Sequence, residues 1–183
     1  KTYEEYKNVT PYLDERKNLA VFALAPIPLL VYFGSLLGDK YPIKVFPVGR
    51  AEYGWQNNGS SVEFMVEEFD GNDPDSSSAL LIVNITGKVN WQRIQQQVGK
   101  VVVITANRVG KDVLMTLKSL GDFDSKYTEA LEKLKSFNLI YIAAAAPSHI
   151  GVEMGRRLLK IHPKLHVLQG DNGRYHETFD IEN

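Results

Sequence analysis

Residues 18–40, NLAVFALAPIPLLVYFGSLLGDK, decide the fold. Their first run, residues 19–24, is apolar throughout with no polar alternation, the pattern of a short strand buried on both faces of a parallel sheet. Ala25-Pro26-Ile27-Pro28 follows. Proline is well placed in the first turn of a helix, where its missing N–H would have no intrahelical partner and its φ is already helical. The segment is therefore predicted to run strand, sharp turn, helix. Such a junction sets the N–H groups of a helix N-terminus at the carboxyl end of a strand, where open α/β sheets bind ligands and anions are favoured.

The same phrase returns at residues 139–168, LIYIAAAAPSHIGVEMGRRLLKIHPKLHVL. It aligns without a gap at an offset of 147 − 26 = 121 residues, with Pro147 on Pro26, Val152 on Val31, Gly155 on Gly34, Leu158 on Leu37 and Pro163 on Pro42. Any single identity is what two ordinary βαβ starts share. Proline, glycine and proline matching together point to two related half-domains.

Between and around the copies, residues 43–48 read as a strand, and 49–61 as a loop that carries Arg50, Tyr53 and Trp55. Residues 62–69 alternate weakly, 71–78 form a turn, and 79–85 and 101–106 are buried strands. A short helix is expected over 91–98, another ending at about Leu120, and a third over 127–137 with Ala130, Leu131, Leu134 and Phe137 on one face. A strand at 174–181, reached through a turn, ends the chain. This alternation predicts an α/β fold of two fused, pseudo-symmetric Rossmann-like halves, residues 18–120 and 121–183, with mostly parallel central sheets. Residues 62–69 and the last hairpin are antiparallel additions. Residues 1–17, polar and interrupted by Pro11, are expected to be an arm or a linker to an effector outside this chain.

Lysine and arginine total 21 against 22 acidic residues, so no global field attracts long nucleic acid. Cysteine is absent, which excludes disulfides and zinc–thiolate sites. Pro26 and Pro28 break the longest apolar run short of the roughly 18–20 uniform residues of a membrane span. No basic n-region opens the chain, so a cytoplasmic protein is expected.

Ligand chemistry is expected where the segments after the buried strands meet. Those segments supply Pro26, Ile27 and Pro28; Arg50, Trp55 and Gln56; Lys88; Thr105, Asn107 and Arg108; Pro147, Ser148 and His149; and Gln169, Arg174 and Tyr175. Helix N-termini and cations suit phosphates, whereas flat rings and amides suit bases. A nucleophile backed by a base is missing, so a small anionic ligand carrying bases fits better than turnover. Each residue also has an ordinary reading: Trp55 as a cap on the sheet edge, Arg50 and Arg174 as solvated charges, His149 as a helix-start histidine. His162 and His166 have helical spacing, but Pro163 between them breaks the helix. No GxGxxG follows the first strand and no P-loop occurs, which counts against dinucleotide redox enzymes and P-loop enzymes.

The two Pro-containing phrases and the loop with Arg50 and Trp55 resemble the SAVED domain, the sensor module fused to effectors in bacterial CBASS anti-phage systems. The resemblance covers about residues 18–183. It implies two CARF-like halves holding a cyclic oligonucleotide in the cleft between them, a cyclic dinucleotide such as cyclic GMP-AMP being favoured and a cyclic trinucleotide being the other ring size. It places Pro26, Ile27, Pro28, Pro147, Ser148 and His149 on the cleft floor and Trp55 against a base. It further implies self-association on binding, activation of a fused effector such as a nuclease, no metal or organic cofactor, and no catalysis by the sensor domain itself. The alternative is a ring-nuclease-like or other nucleotide-processing enzyme, with Ser148, His149 or Lys88 assisting.

Overall fold

The structure, a computed structural model, describes residues 18–39, 42–48, 55, 61–110, 116–171 and 174–181. Arg50, Gln56 and the arm of residues 1–17 lie outside the described residues. In chain order the elements are β1 (Leu19–Val21), α1 (Ile27–Leu37), β2 (Ile43–Val45), β3 (Phe64–Asp70), β4 (Ser78–Asn84), β5 (Lys100–Ala106), α2 (Leu117–Leu134), β6 (Leu139–Ala145), α3 (Ser148–Arg156), β7 (Lys164–Asp171) and β8 (Arg174–Ile181).

Six strands form one sheet in the order β3-β5-β4-β6-β7-β8. The four inner strands pair parallel, while β3 joins β5 and β8 joins β7 antiparallel. The sheet is therefore mixed rather than mostly parallel, and it is continuous across the expected halves. Composition explains the edges: β4 and β5 are apolar on both faces, whereas β3 carries Glu67, Glu68 and Asp70 and β8 alternates with polar residues, which edge strands tolerate.

β1 and β2 form a separate two-stranded parallel sheet. The expectation that the 19–24 run is buried on both faces fails here. Only three residues pair, and Phe22 and Leu24 are 51% and 83% exposed. A sheet of two strands covered on one side leaves the other outward, where Phe22 stacks on Phe46 with ring centres 5.0 Å apart. The strand expected to reach residue 48 ends at Val45, two residues before Pro47, which has no N–H to give a ladder.

The boundary expected between residues 120 and 121 falls inside α2, which runs unbroken through Gly121. An exposed helical glycine costs about 1 kcal/mol relative to alanine, less than burial of Phe123, Tyr127, Leu131 and Leu134 returns. Thr116 starts the helix by accepting the Ser119 N–H at 3.2 Å, and Ser119 Oγ accepts the Val62 N–H at 2.9 Å. The helix expected over 91–98 is only a 3-10 turn, Trp91–Arg93. There Val89, Ile94 and Val98 pack flat on Leu80, Ile82 and Val103. Asn84 accepts the Val89 N–H at 2.8 Å just before the turn, and Asn72 accepts the Val98 N–H at 2.9 Å in place of a helical bond.

Helices α1 and α3 lie between the two sheets. Val31, Ile150 and Met154 join the core against the large sheet, while Leu30, Leu37 and Val152 cover Val21, Ile43 and Val45 of the small one. The helices meet at backbone distance. A Cβ on Gly34 would lie 2.0 Å from the Val152 carbonyl oxygen, and one on Gly155 would lie 2.0 Å from that of Val31. At the offset of 121 these are the same contact made twice. Gly151 lies against Ile27 and Leu30, Gly155 against Val31, and Arg156 against Gly38, so the two helices run parallel.

Alanine at Gly34 or Gly155 should cost about 1–3 kcal/mol or more by overpacking, a fall of several degrees in Tm for a domain of this size. Gly121→Ala, with nothing within 4 Å of its Cβ, should instead gain up to about 1 kcal/mol. Thermal melts that do not separate these variants would show that the crossing is looser than described. On β3, hydrogen bonds from Lys100 and Lys133 hold the Glu68 carboxyl down at about 2. A depressed carboxylate adds stability above its unfolded value, and that stability is lost as pH falls toward the folded one. Glu68→Gln should therefore flatten the acid limb of stability between about pH 4.5 and pH 2.

Candidate functional site

Three alanines, Ala143 to Ala145, end β6, and Ala146 follows. Their small side chains leave a hollow of about 280 Å³ floored by Ala144, Ala145, Val89 and Leu168. The segment after β4 folds over this end, since the Ile85 and Thr86 N–H groups both donate to the Ala145 carbonyl at 2.9 and 2.8 Å. That fold delivers Lys88 to the wall. The β7–β8 hairpin delivers Gln169, Asp171, Arg174 and Tyr175, with Asp171 paired to Arg174 and Gly170 to Tyr175. A Cβ on Gly170 would stand 3.3 Å from the Tyr175 ring, so the ring lies close over it. Ile27, the first residue of α1, completes the wall.

Pro26 and Pro147 are the N-caps of α1 and α3, and neither provides a side-chain cap. Because the helices are parallel, both positive ends face the side of the molecule that holds the hollow. Trp55 meets His149 edge-on, ring centres 5.4 Å apart, which places the indole beside the start of α3. His149 itself is 2% exposed. Lys88 and Arg174 on the wall outnumber the one carboxylate, Asp171, so the walls and the helix ends together favour an anion.

The residues expected from sequence divide into groups. Ile27, Gln169, Arg174 and Tyr175 line the hollow. Pro26, Pro28, Pro147, Ser148, His149 and Trp55 stand at the helix starts around it. Thr105, Asn107 and Arg108 do not line it, because β4 lies between β5 and β6. Thr105 accepts a hydrogen bond from Asn84 at 3.4 Å, and Asn107 holds Glu63 through its own N–H at 2.9 Å and its side-chain oxygen at 3.4 Å. Lys88, expected from its segment, lines the wall, and so does Asp171, which the sequence reading did not single out. The signal for Lys88 was its place directly after a buried strand, but only the strand order distinguishes that strand from β5.

The fold is an open α/β sheet with a hollow at the carboxyl ends of its parallel strands, the place where sheets of this class bind ligands. More specifically, the chain belongs to the SAVED family, the SMODS-associated and fused to various effectors sensor domain, whose family model matches residues 3–181. Its fold is similar to that of the Acinetobacter baumannii Cap4 SAVED/CARF-domain containing receptor with the cyclic trinucleotide 2′3′3′-cAAA, at TM-score 0.70 and 12% identity over 96% of this chain and 41% of that one. The same receptor described without a ligand gives TM-score 0.63 at 12% identity, over 96% and 39% of the two chains. The Moraxella osloensis Cap4 receptor gives TM-score 0.58 at 14% identity, also over 96% and 39%. The chain thus spans about two fifths of the length of these structures. Among curated proteins none matches. No helix among the described residues is long and apolar enough to cross a membrane.

Proposed function

We propose that this domain is a sensor that binds a cyclic oligonucleotide at the hollow and along the starts of α1 and α3. One observation carries the reading: the parallel packing of α1 and α3 sets two positive helix ends on one side, beside Lys88 and Arg174. Helix ends and cations take phosphates, while Tyr175, Trp55 and the alanine floor take bases. At about 280 Å³ the hollow is at the small end of ligand sites, roughly 300–1,000 Å³. It holds one base with its phosphate, and the rest of the ring lies across the helix starts. Membership in a sensor family and likeness in fold to a receptor described with a cyclic trinucleotide support this.

In this reading the copies built on β1-α1-β2 and β6-α3-β7 act as two related halves that the ring bridges. Bridging stabilises one arrangement of them by its differential affinity. That arrangement promotes self-association and activates an effector fused to the domain, a nuclease being the favoured kind. The domain itself leaves the ring intact: burial of His149 behind Trp55 removes it from easy proton transfer to a ligand.

Calorimetry with cyclic GMP-AMP, other cyclic dinucleotides and cyclic triadenylates, with linear mononucleotides as controls, tests the reading and decides ring size. Trp55→Ala should remove a stacking contribution of about 1–3 kcal/mol, a loss of about 5- to 150-fold in affinity. Arg174→Ala should weaken binding and shallow its salt dependence. Light scattering should show larger particles with ligand, and chromatography should return the ligand uncleaved. Absence of heat with every ring would refute the sensor reading.

A further inference from the structure

Arg156 closes α3 at the end of the helix pair opposite the hollow. Its side chain is 9% exposed, and two of the contacts of its guanidinium join the two copies of the repeated unit. Nε donates to the Gly38 carbonyl at 3.2 Å, at the C-cap of α1, and Nη1 donates to the Ile43 carbonyl at 3.4 Å, at the start of β2. Nη1 also pairs with Glu153 at 2.9 Å, and that carboxylate is 3% exposed. Burial pushes the Glu153 carboxyl up, and Arg156 and Arg157 oppose it. Arg157, the next residue, pairs with Asp124 on α2 and with the other oxygen of Glu153 at 3.2 Å, but reaches neither Gly38 nor Ile43.

Parallel helices side by side align their dipoles unfavourably, with two negative ends together and two positive ends together. A cation at the C-terminal ends offsets the first pairing, and an anion at the N-terminal ends offsets the second. The mechanics run the same way. The Gly34–Gly155 crossing is a fulcrum without side-chain slack. From it, α1 extends roughly 10 Å toward the hollow and roughly 6 Å toward Arg156, at 1.5 Å per residue. A shift at the short arm is therefore enlarged at the long one.

We propose that Arg156 is a positioning residue for the ligand: by pinning the C-terminal ends of α1 and α3 to each other, it sets the spacing of the two N-terminal ends that receive phosphate. The proposal rests on the sensor reading but is separable from it. Arg156→Ala, assayed by calorimetry with the best-binding cyclic oligonucleotide at a temperature where circular dichroism shows it folded, should lose at least tenfold in affinity. Arg156→Lys, which keeps the charge but not the fork, should lose about threefold. Arg157→Ala, which disturbs the same cluster toward α2, should stay within twofold of the unaltered protein even where its Tm falls as far. Equal affinity losses in Arg156→Ala and Arg157→Ala, or unchanged affinity in Arg156→Ala, would overturn it. If Arg156→Ala does not fold, Arg156→Lys with unchanged affinity overturns it. If the unaltered protein binds no cyclic oligonucleotide, the sensor reading falls. Amide hydrogen exchange at Leu30, faster in the Arg156 variants than in Arg157→Ala, then upholds the lever, and equal exchange overturns it.

Discussion

The architecture hinges on the contact between the backbones of α1 and α3. Two glycines let each helix press on the other's valine carbonyl, at a distance no side chain could share. The small sheet depends on that approach. Two strands with one covered face are marginal alone, and the cover for Val21, Ile43 and Val45 comes from Leu30, Leu37 and Val152 on the crossed helices. Each such side chain contributes about 1.5–3 kcal/mol when fully buried. Separating the helices would therefore forfeit a hydrophobic cluster as well as a backbone contact. The large sheet has less at stake in the crossing, since α2 supplies Phe123, Tyr127, Leu131 and Leu134 to the same core.

Reciprocity also explains why the repeat was visible in the sequence. A crossing in which residue i meets residue j + 121, and residue j meets i + 121, constrains the same two positions in both copies, and valine and glycine recur there. The strand-turn-helix junctions were legible for a related reason, because proline at a helix start is a local requirement. Sheet membership was not legible. The residues 19–24 run and β6 are equally apolar, yet β6 lies between β4 and β7 whereas β1 has β2 alone. An apolar run records that a strand avoids water on some face, not how many neighbours it has. The continuity of α2 was missed because Gly121 weakens a helix by less than the flanking core strengthens it. Residues 91–98 keep only one turn of the expected helix, and there Asn72 offers the Val98 N–H another partner.

The same division holds for the site. Gln169, Arg174 and Tyr175 reach the hollow through one hairpin, and hairpin adjacency is local in sequence. Thr105, Asn107 and Arg108 also follow a buried strand, but the order β5-β4-β6 sets them away from the alanine end of β6. Of the expected strand-end cations among the described residues, Lys88 and Arg174 reach the hollow and Arg108 does not. The double hydrogen bond from Ile85 and Thr86 to Ala145 turns its segment toward β6. Nothing in a single sequence orders parallel strands, so a list of strand-end residues is wider than the site that they form.

Under the proposed function, different parts of the site would act on different parts of a bound anion. A helix end contributes about 0.3–1 kcal/mol at an exposed position, while a hydrogen bond to a charged group contributes about 1.5–3 kcal/mol. In the proposed reading, Lys88 and Arg174 would therefore carry more of the attraction for phosphate than the two helix starts do. The helix starts differ in kind, because they are fixed to the crossing and cannot follow the ligand as long side chains can. A ring whose phosphates satisfied both ends would have to match their separation, so the helices would select among rings by geometry while the cations would favour any anion of sufficient charge. Selectivity then depends on how rigidly the two ends are held, which returns the question to Gly34, Gly155 and the buried fork of Arg156.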